Sequence, residues 1–258
     1  MNGLNLHKMF LIALVAASGV LATGEVSAIE ADADRIMRAM GAYLQSAEEF
    51  SFHADVSYDG TLSTGEKVKY GSVVDISVRR PNRLLVTSDG DESSRKVFYD
   101  GKTITLFDVH KNLYAITKVP GKLDDAIDLV FEKFGLVVPV ADFVYADPYA
   151  VLTENADYGS VIGEHGCGDK RCYHLLFTQE WIDWQIWIET GPRPLPRRLV
   201  ITYKEEQDSP QYEAWLSRWD FQPRVSEQAF TFHPPNGAHE IEFLPNTDPS
   251  DDDEEDQR

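Results

Sequence analysis

The sequence predicts an α+β protein built on one long antiparallel sheet, with a helix at its N-terminal end and further helices in the middle of the chain. Apolar and polar residues alternate in roughly ten short segments, the pattern of strands with one buried face. Short turns join most of these segments, so that successive strands become antiparallel neighbours. Helical spacing of apolar residues occurs mainly at 29–46 and 123–134.

The stretch 173–203 shows the strand pattern most clearly. It contains three candidate strands, separated by Gln179-Glu180 and by the proline-rich corner 191–196. The middle strand places apolar residues on one face and polar residues on the other: Trp184, Ile186 and Ile188 against Asp183, Gln185 and Glu189. Such a sheet faces a core or a cavity on one side and water on the other.

The other elements follow from the same two periodicities. Asp100-Gly101 predicts a two-residue hairpin, because both residues tolerate the positive φ angles of a type I′ turn. A helical insertion within a run of strands has to pack on the apolar face of the sheet. The predicted elements are a helix at 29–46; strands at 50–58, 67–79, 83–88, 96–99, 103–107 and 113–119; a helix at 123–134; one or two short helices within 137–152; and strands at 160–167, 172–178, 214–221, 230–233 and 241–243.

Residues 1–28 are typical of a secretory signal peptide. Lys8 gives a weak positive charge, an apolar run covers 9–20, and Val26-Ser27-Ala28 fits a small-x-small cleavage site. The run is shorter than the roughly 20 apolar residues that a membrane span needs. The sequence therefore predicts an exported, soluble protein that does not span a membrane.

The formal net charge of −19 at pH 7 limits the partners of the protein. An acidic surface disfavours nucleic acid and does not attract anionic lipid headgroups, whereas apolar and cationic ligands remain compatible with it. Residues 246–258 hold seven acidic residues and predict a disordered tail. Residues 29–245 contain no linker or close repeat, which predicts a single domain between leader and tail.

Cys167 and Cys172, the only cysteines, flank a four-residue turn in a predicted hairpin. In an exported protein this spacing predicts a structural disulfide. A redox motif would show Cys-x-x-Cys spacing, and a zinc site would need more ligands.

No catalytic motif accompanies these features. The histidines are scattered without metal-ligand spacing, and a Gly-x-Ser-x-Gly nucleophile elbow is missing, so we expect no metal, no cofactor and no enzymatic activity. Arg193, Arg197 and Arg198 form a basic cluster in an acidic chain. Two interpretations stay open: the cluster binds a phosphate or a carboxylate of a partner, or it pairs locally with acidic neighbours.

Three stretches carry a resemblance to a known group of folds: VFYDGKTITLFDVHKNLYA at 97–115, WIETGPRPLPRRLVITY at 187–203, and WDFQPRVSEQAFTFHPPNGA at 219–238. Together with the order of elements, from residue 29 to about 243, they resemble the periplasmic lipoprotein-carrier fold of LolA, LolB and the sigma-factor regulator RseB. More closely, the chain is similar to predicted periplasmic proteins of unknown function that share that fold. The resemblance implies a periplasmic protein with a strongly curved half-barrel, whose concave face is closed by helices over an apolar cavity.

The residues expected to line that cavity come from the sheet and from the central helix. The sheet would provide Phe50, Phe52, Val68, Tyr70, Val74, Trp184 and Ile186, and the helix would provide Leu123, Ile127, Val130 and Phe134. The alternative is that these side chains pack together as a closed core.

Two functions remain as hypotheses. The first is a non-enzymatic carrier for an apolar ligand, a lipid or lipoprotein with acyl chains, with residues 137–152 as a mobile lid. The second is an RseB-like module that senses the state of the envelope by contacting a membrane protein. An enclosed pocket favours the carrier, and an outward apolar patch favours the interaction module.

Overall fold

The computed structural model of the chain describes residues 28–119, 121–134 and 139–243. The predicted signal peptide, apart from Ala28, and the predicted disordered tail lie outside the described residues. The division of the chain into leader, single domain and tail therefore stays a prediction.

The helices form where apolar residues recur every three or four positions. Helix α1 (Ala31–Gln45) buries its stripe of Ile36, Met37, Met40 and Leu44 and carries two aspartates in its first turn, which suits the positive end of the helix dipole. Helix α2 (Leu123–Phe134) has the predicted bounds. A 3-10 helix (Pro139–Val144) and α3 (Pro148–Thr153) follow, and the Asp147 carboxylate caps α3 by accepting from the Ala150 amide at 3.0 Å.

The described residues form thirteen strands, all in one sheet. Their bounds are β1 (Ala28–Ile29), β2 (Glu49–Thr61), β3 (Lys67–Arg79), β4 (Arg83–Gly90), β5 (Ser94–Tyr99), β6 (Thr103–Asp108), β7 (Leu113–Lys118), β8 (Tyr158–Cys167), β9 (Lys170–Thr178), β10 (Ile182–Glu189), β11 (Pro196–Tyr203), β12 (Gln211–Asp220) and β13 (His239–Glu240). The order across the sheet is β1-β8-β9-β10-β11-β12-β2-β3-β4-β5-β6-β7-β13.

The sheet is antiparallel except at its two edges. The two-residue strands β1 and β13 pair in parallel with β8 and β7. The sheet is strongly curved, and the helices pack on its concave inner face, so the predicted fold class is confirmed. One hydrophobic core lies between that face and the helices.

Three expected elements differ from the structure. Ile29 lies in β1 rather than in the first helix, because its backbone pairs with Gly159. The predicted strand at 230–233 is a 3-10 turn (Glu227–Phe230) followed by irregular chain, and the predicted strand at 241–243 is replaced by β13 just before it. The apolar residues near 230 anchor this segment to the sheet and do not belong to a strand.

The C-terminal segment covers part of the convex outer face. The Glu227 carboxylate accepts from Arg79 at 3.0 Å and from Arg83 at 2.5 Å, and both arginines belong to the neighbouring strands β3 and β4. Phe232 packs on a group of outer-face rings at centroid distances of 5.0–5.4 Å: Phe98, Phe107 and Tyr114. Residues 227–232 therefore cover the outer face at the Arg79 and Arg83 ends of β3 and β4 and across β5 to β7.

The predicted disulfide between Cys167 and Cys172 is confirmed, with Cα atoms 6.0 Å apart at the end of the β8–β9 hairpin. We expect Cys167→Ser/Cys172→Ser to lower the free energy of unfolding by about 2 kcal/mol, because so short a loop loses little chain entropy on closure. Urea denaturation measures the loss, and the reduced wild-type protein should match the variant. Equal stability of all three forms would contradict the prediction.

Candidate functional site

The inner face of the sheet brings most of the predicted cavity residues together. Phe50, Phe52, Val74, Trp184 and Ile186 all lie on this face and are buried in the one large core. Their common orientation follows from the alternation along β2, β3 and β10, whose neighbouring side chains point to opposite faces.

Val68 and Tyr70 lie on the same face of β3 but are only half-buried. The pairing of Tyr58 with Tyr70 places two half-buried rings side by side, with centroids 5.6 Å apart. Val97 and Leu106, paired across β5 and β6, are also half-buried on the inner face. Tyr58, Val68 and Tyr70 lie together at one end of the inner face, whereas Val97 and Leu106 lie further along the strands, in register with Ile76 and Val86. We call these five half-buried side chains the open trough.

Helix α2, the 3-10 helix and α3 lie over the inner face, and we call them the helical cover. Leu123 and Val130 of α2 are buried in the core, and Ile127 packs against the core while partly exposed. The side chain of Phe134, the fourth residue predicted from this helix, lies outside the described part of the chain.

Hydrogen bonds fasten the first turn of α2 to the sheet. The Leu123 amide donates to the Pro81 carbonyl at 2.9 Å, and the Tyr99 hydroxyl donates to the Lys122 carbonyl at 3.3 Å. The half-buried guanidinium of Arg80 donates to the carbonyls of Val144 at 3.2 Å and Tyr145 at 2.5 Å. The cover is therefore attached to the sheet at the corner formed by Arg80 and Pro81.

The cover is also tied together internally. The Tyr145 hydroxyl donates to Asp128 at 2.8 Å, and the Ala146 amide donates to the Asp124 carboxylate at 3.1 Å. Burial raises the pKa of Asp124 despite that hydrogen bond. Helix α2 and the chain around residue 145 therefore form one unit.

One acidic side chain of the cover was not among the predicted site residues. Asp142 lies in the 3-10 helix between the buried residues Val140 and Phe143, and burial raises the pKa of its carboxyl to about 7. Its charge acts on Tyr203 and Tyr212, two buried residues of β11 and β12. The sequence feature that could have indicated this buried carboxyl is that Asp142 is the single acid in the apolar stretch 137–144.

The three arginines of the predicted basic cluster do not share one binding partner. Arg197 donates to the Glu189 carboxylate at 2.8 Å and 2.5 Å, and Arg198 donates to Glu213 at 2.8 Å. Arg193 is exposed. The pairing of Arg197 and Arg198 with nearby carboxylates corresponds to the local-pairing alternative.

Other kinds of site find little support in the described residues. They contain no group of three or more histidine, cysteine, aspartate or glutamate side chains arranged to hold a metal ion. A shallow cleft of about 410 Å³ lies outside the trough and is lined by Tyr43, Ser46, Ala47, Glu48, Glu49 and Phe221. None of the helices in the described ranges combines the length and hydrophobicity that a membrane crossing requires.

The family described as predicted periplasmic protein (DUF2092) matches residues 33–244. The chain belongs to this family. This match confirms the resemblance to predicted periplasmic proteins of unknown function, over nearly all of the described residues. None of the curated proteins matches it.

Several solved structures resemble this DUF2092 chain at low identity. An uncharacterised conserved protein from Thermus thermophilus is 10% identical, with a TM-score of 0.48, covering 82% of this chain and 99% of that one. The lipoprotein LppX of Mycobacterium tuberculosis is 14% identical, with a TM-score of 0.45, covering 76% and 98%. A LolA superfamily protein from Nitrosomonas europaea is 10% identical, with a TM-score of 0.39, covering 78% and 97%.

Proposed function

We propose that this protein is a periplasmic, non-enzymatic carrier that binds the acyl chains of a lipid or lipoprotein between the inner face of the sheet and α2. The observation that supports the proposal is the open trough, where apolar side chains face the inside of the half-barrel without being fully covered. The family description as periplasmic agrees with the predicted signal peptide.

The inner face changes character along the strands. Phe50, Phe52 and Tyr99 are almost completely buried, whereas Val68 and Tyr70 retain contact with solvent on the same face. Fully burying one apolar side chain is worth about 1.5–3 kcal/mol, so a closed core would be expected to cover these groups as well. An acyl chain in the trough would cover them in the bound state.

The attachment of the cover suggests how a ligand enters. The described hydrogen bonds between cover and sheet join residues 123, 144 and 145 to the corner at Arg80 and Pro81, and residue 122 to Tyr99 of β5. The end of the inner face near Val68 and Tyr70 lies away from that corner, at the opposite end of β3. We assign the opening movement to the whole cover, tilting about the Arg80 corner, and not to residues 137–152 alone.

Mass spectrometry of the protein under native conditions, after purification from the periplasm, tests the proposal. We expect a fraction of the protein to carry additional mass, and extraction to release a lipid or lipopeptide. An apo mass that does not change when phospholipids and lipopeptides are offered would overturn it.

Two single variants test the position of the ligand. Val68→Arg and Leu106→Arg place a charge in the open trough, and we expect each to weaken binding of a fluorescent fatty acid by about tenfold or more, because burying an unpaired charge is costly. Both side chains are half-exposed, so thermal stability should change little. Ile162→Arg, at an exposed position of β8, is the control. Equal affinity of all variants would place the ligand elsewhere.

A further inference from the structure

A row of side chains crosses the outer face of the sheet, opposite to the open trough. Each member comes from a different strand and is the register partner of the next one. In order from β9 to β3 the row is His174, Trp187, Arg198, Trp215, Asp55 and Val73.

The aromatic half of this row is packed rigidly. The His174 ring stacks on Trp187 with centroids 3.9 Å apart, and the Arg198 guanidinium lies between Trp187 and Trp215, at 4.4 Å and 4.7 Å from the ring centroids. The Glu213 carboxylate accepts from Arg198 at 2.8 Å and from the Trp215 indole N–H at 2.7 Å. These contacts fix the orientation of Trp215 before any partner binds.

The other half of the row is exposed. Trp215 and Val73 are large apolar residues with exposed fractions of 39% and 41%. The side chains of Asp55 and Asp75 are exposed to 65% and 61%, and the buried ring of His53 joins them, with Nδ1 at 2.7 Å from Asp75 and Nε2 at 3.4 Å from Asp55. We call Asp55, Val73, Asp75 and Trp215 the outer platform.

Residues 227–232 cover the outer face of the later strands, but the outer platform remains exposed among the described residues 28–119, 121–134 and 139–243. Trp215 and Val73 lie on either side of Asp55. A preordered, exposed tryptophan is the kind of anchor that dominates protein interfaces. The two flanking carboxylates determine which partner fits.

The charge of the platform excludes several occupants. Nucleic acid and anionic lipid headgroups would be repelled by Asp55 and Asp75, and so would residues 246–258 of the same chain, which are acidic. A second copy would bring the same two carboxylates against the first if the contact were symmetric. A cationic surface is complementary to these charges.

We infer that the outer platform binds a cationic segment of a partner protein, with apolar side chains on Trp215 and on Val73, and a lysine or arginine on the exposed side of the Asp55 and Asp75 carboxylates. The two faces of the sheet separate this surface from the open trough, so the inference does not depend on the proposed cargo. A partner could therefore bind while the trough is occupied.

Fluorescence anisotropy with a labelled short peptide of alternating lysine and leucine tests the inference on the full mature protein. We expect Trp215→Ala and Asp55→Asn/Asp75→Asn each to weaken binding by about tenfold or more. Glu180→Gln/Glu205→Gln removes the same charge from exposed positions elsewhere and should change the affinity less than about twofold. Thermal melting checks that each variant is folded.

The controls separate this surface from other ways of binding the peptide. A peptide with glutamate in place of lysine should not bind, and Val68→Arg should leave the affinity for the lysine peptide unchanged. If Asp55→Asn/Asp75→Asn and Glu180→Gln/Glu205→Gln lost the same affinity for the peptide, the peptide would be held only by the overall negative charge. That result would overturn the inference. A loss caused only by Val68→Arg would place the peptide in the trough and also overturn it.

Discussion

Replacing Phe50 with alanine lowers the free energy of unfolding by about 3–5 kcal/mol, the range expected for removal of a buried phenylalanine ring. Phe50 has no exposed surface, and its ring contacts Phe52, Trp219 and Phe221 at centroid distances of 6.1–6.3 Å. The Arg80 guanidinium lies 5.2 Å from the ring centroid. The resulting cavity would therefore adjoin the arginine that holds the helical cover.

Urea denaturation of the mature protein measures this loss. The variant Phe50→Leu removes the aromatic ring but keeps most of the side-chain volume, so it separates the effect of losing the ring from the effect of the cavity. We expect Phe50→Leu to cost no more than about 1.5 kcal/mol, because it retains most of the volume. Ile162→Ala, at an exposed site, should cost less than about 0.5 kcal/mol. If Phe50→Ala cost no more than Ile162→Ala, the inner face at Phe50 would not be a packed core.

The sequence determines most of the sheet because the alternation is long enough to be visible. The strand around residues 67–79 shows one apolar and one polar face over its whole length. Asp100-Gly101 correctly marked the turn between β5 and β6, but only Gly101 has a positive φ, of 86°, so the turn is not the predicted type I′. β1 and β13 were not predictable in this way, since two residues have no periodicity and their pairing depends on distant partners. Phe230 and Phe232 resembled a strand because anchoring residues can also be spaced by two.

The inner face was predictable from the same alternation, but the depth of burial along it was not. Phe50 and Tyr70 follow the same rule, but Phe50 is buried because distant residues such as Trp219 and Phe221 pack on it, whereas Tyr70 is only half-buried. The side chains that become neighbours on adjacent strands could not be predicted either. Arg198 meets Trp187 and Trp215 through register, which strand patterns alone do not specify.

The second large expected effect is on the pH dependence of stability, and it comes from Asp142. Burial disfavours the ionised form of its carboxyl in the folded protein. The 3-10 helix holds it among apolar neighbours, and burial raises its pKa from 3.8 to about 7. The titratable groups that face it are Tyr145, Tyr203 and Tyr212, whose own pKa values are raised by burial, so that they stay neutral. No cation among these neighbours compensates the charge of an ionised Asp142.

The sign of the pH dependence follows from these values. Well below pH 3.8, the ordinary pKa of the group, the carboxyl is protonated in both the folded and unfolded states, and it costs nothing. As the pH rises toward 7, the unfolded chain releases the proton and the folded protein keeps it, so stability falls by up to about 1.4 kcal/mol per pH unit and then levels off. Residue Asp142 as a whole is only partly buried, and we therefore expect a total of about 2 kcal/mol.

Asp142→Asn removes that cost and should make the protein more stable than wild type by about 2 kcal/mol near pH 8, with little difference near pH 4. Urea denaturation of both proteins across this range measures the difference, which cancels the contributions of all other titrating groups. Asp169→Asn removes the same charge from a side chain that is 85% exposed, and we expect the pH-dependent gain only in Asp142→Asn. A constant difference between Asp142→Asn and wild type would mean that the carboxyl is solvated, and that the cover leaves water access to the inner face at β11 and β12.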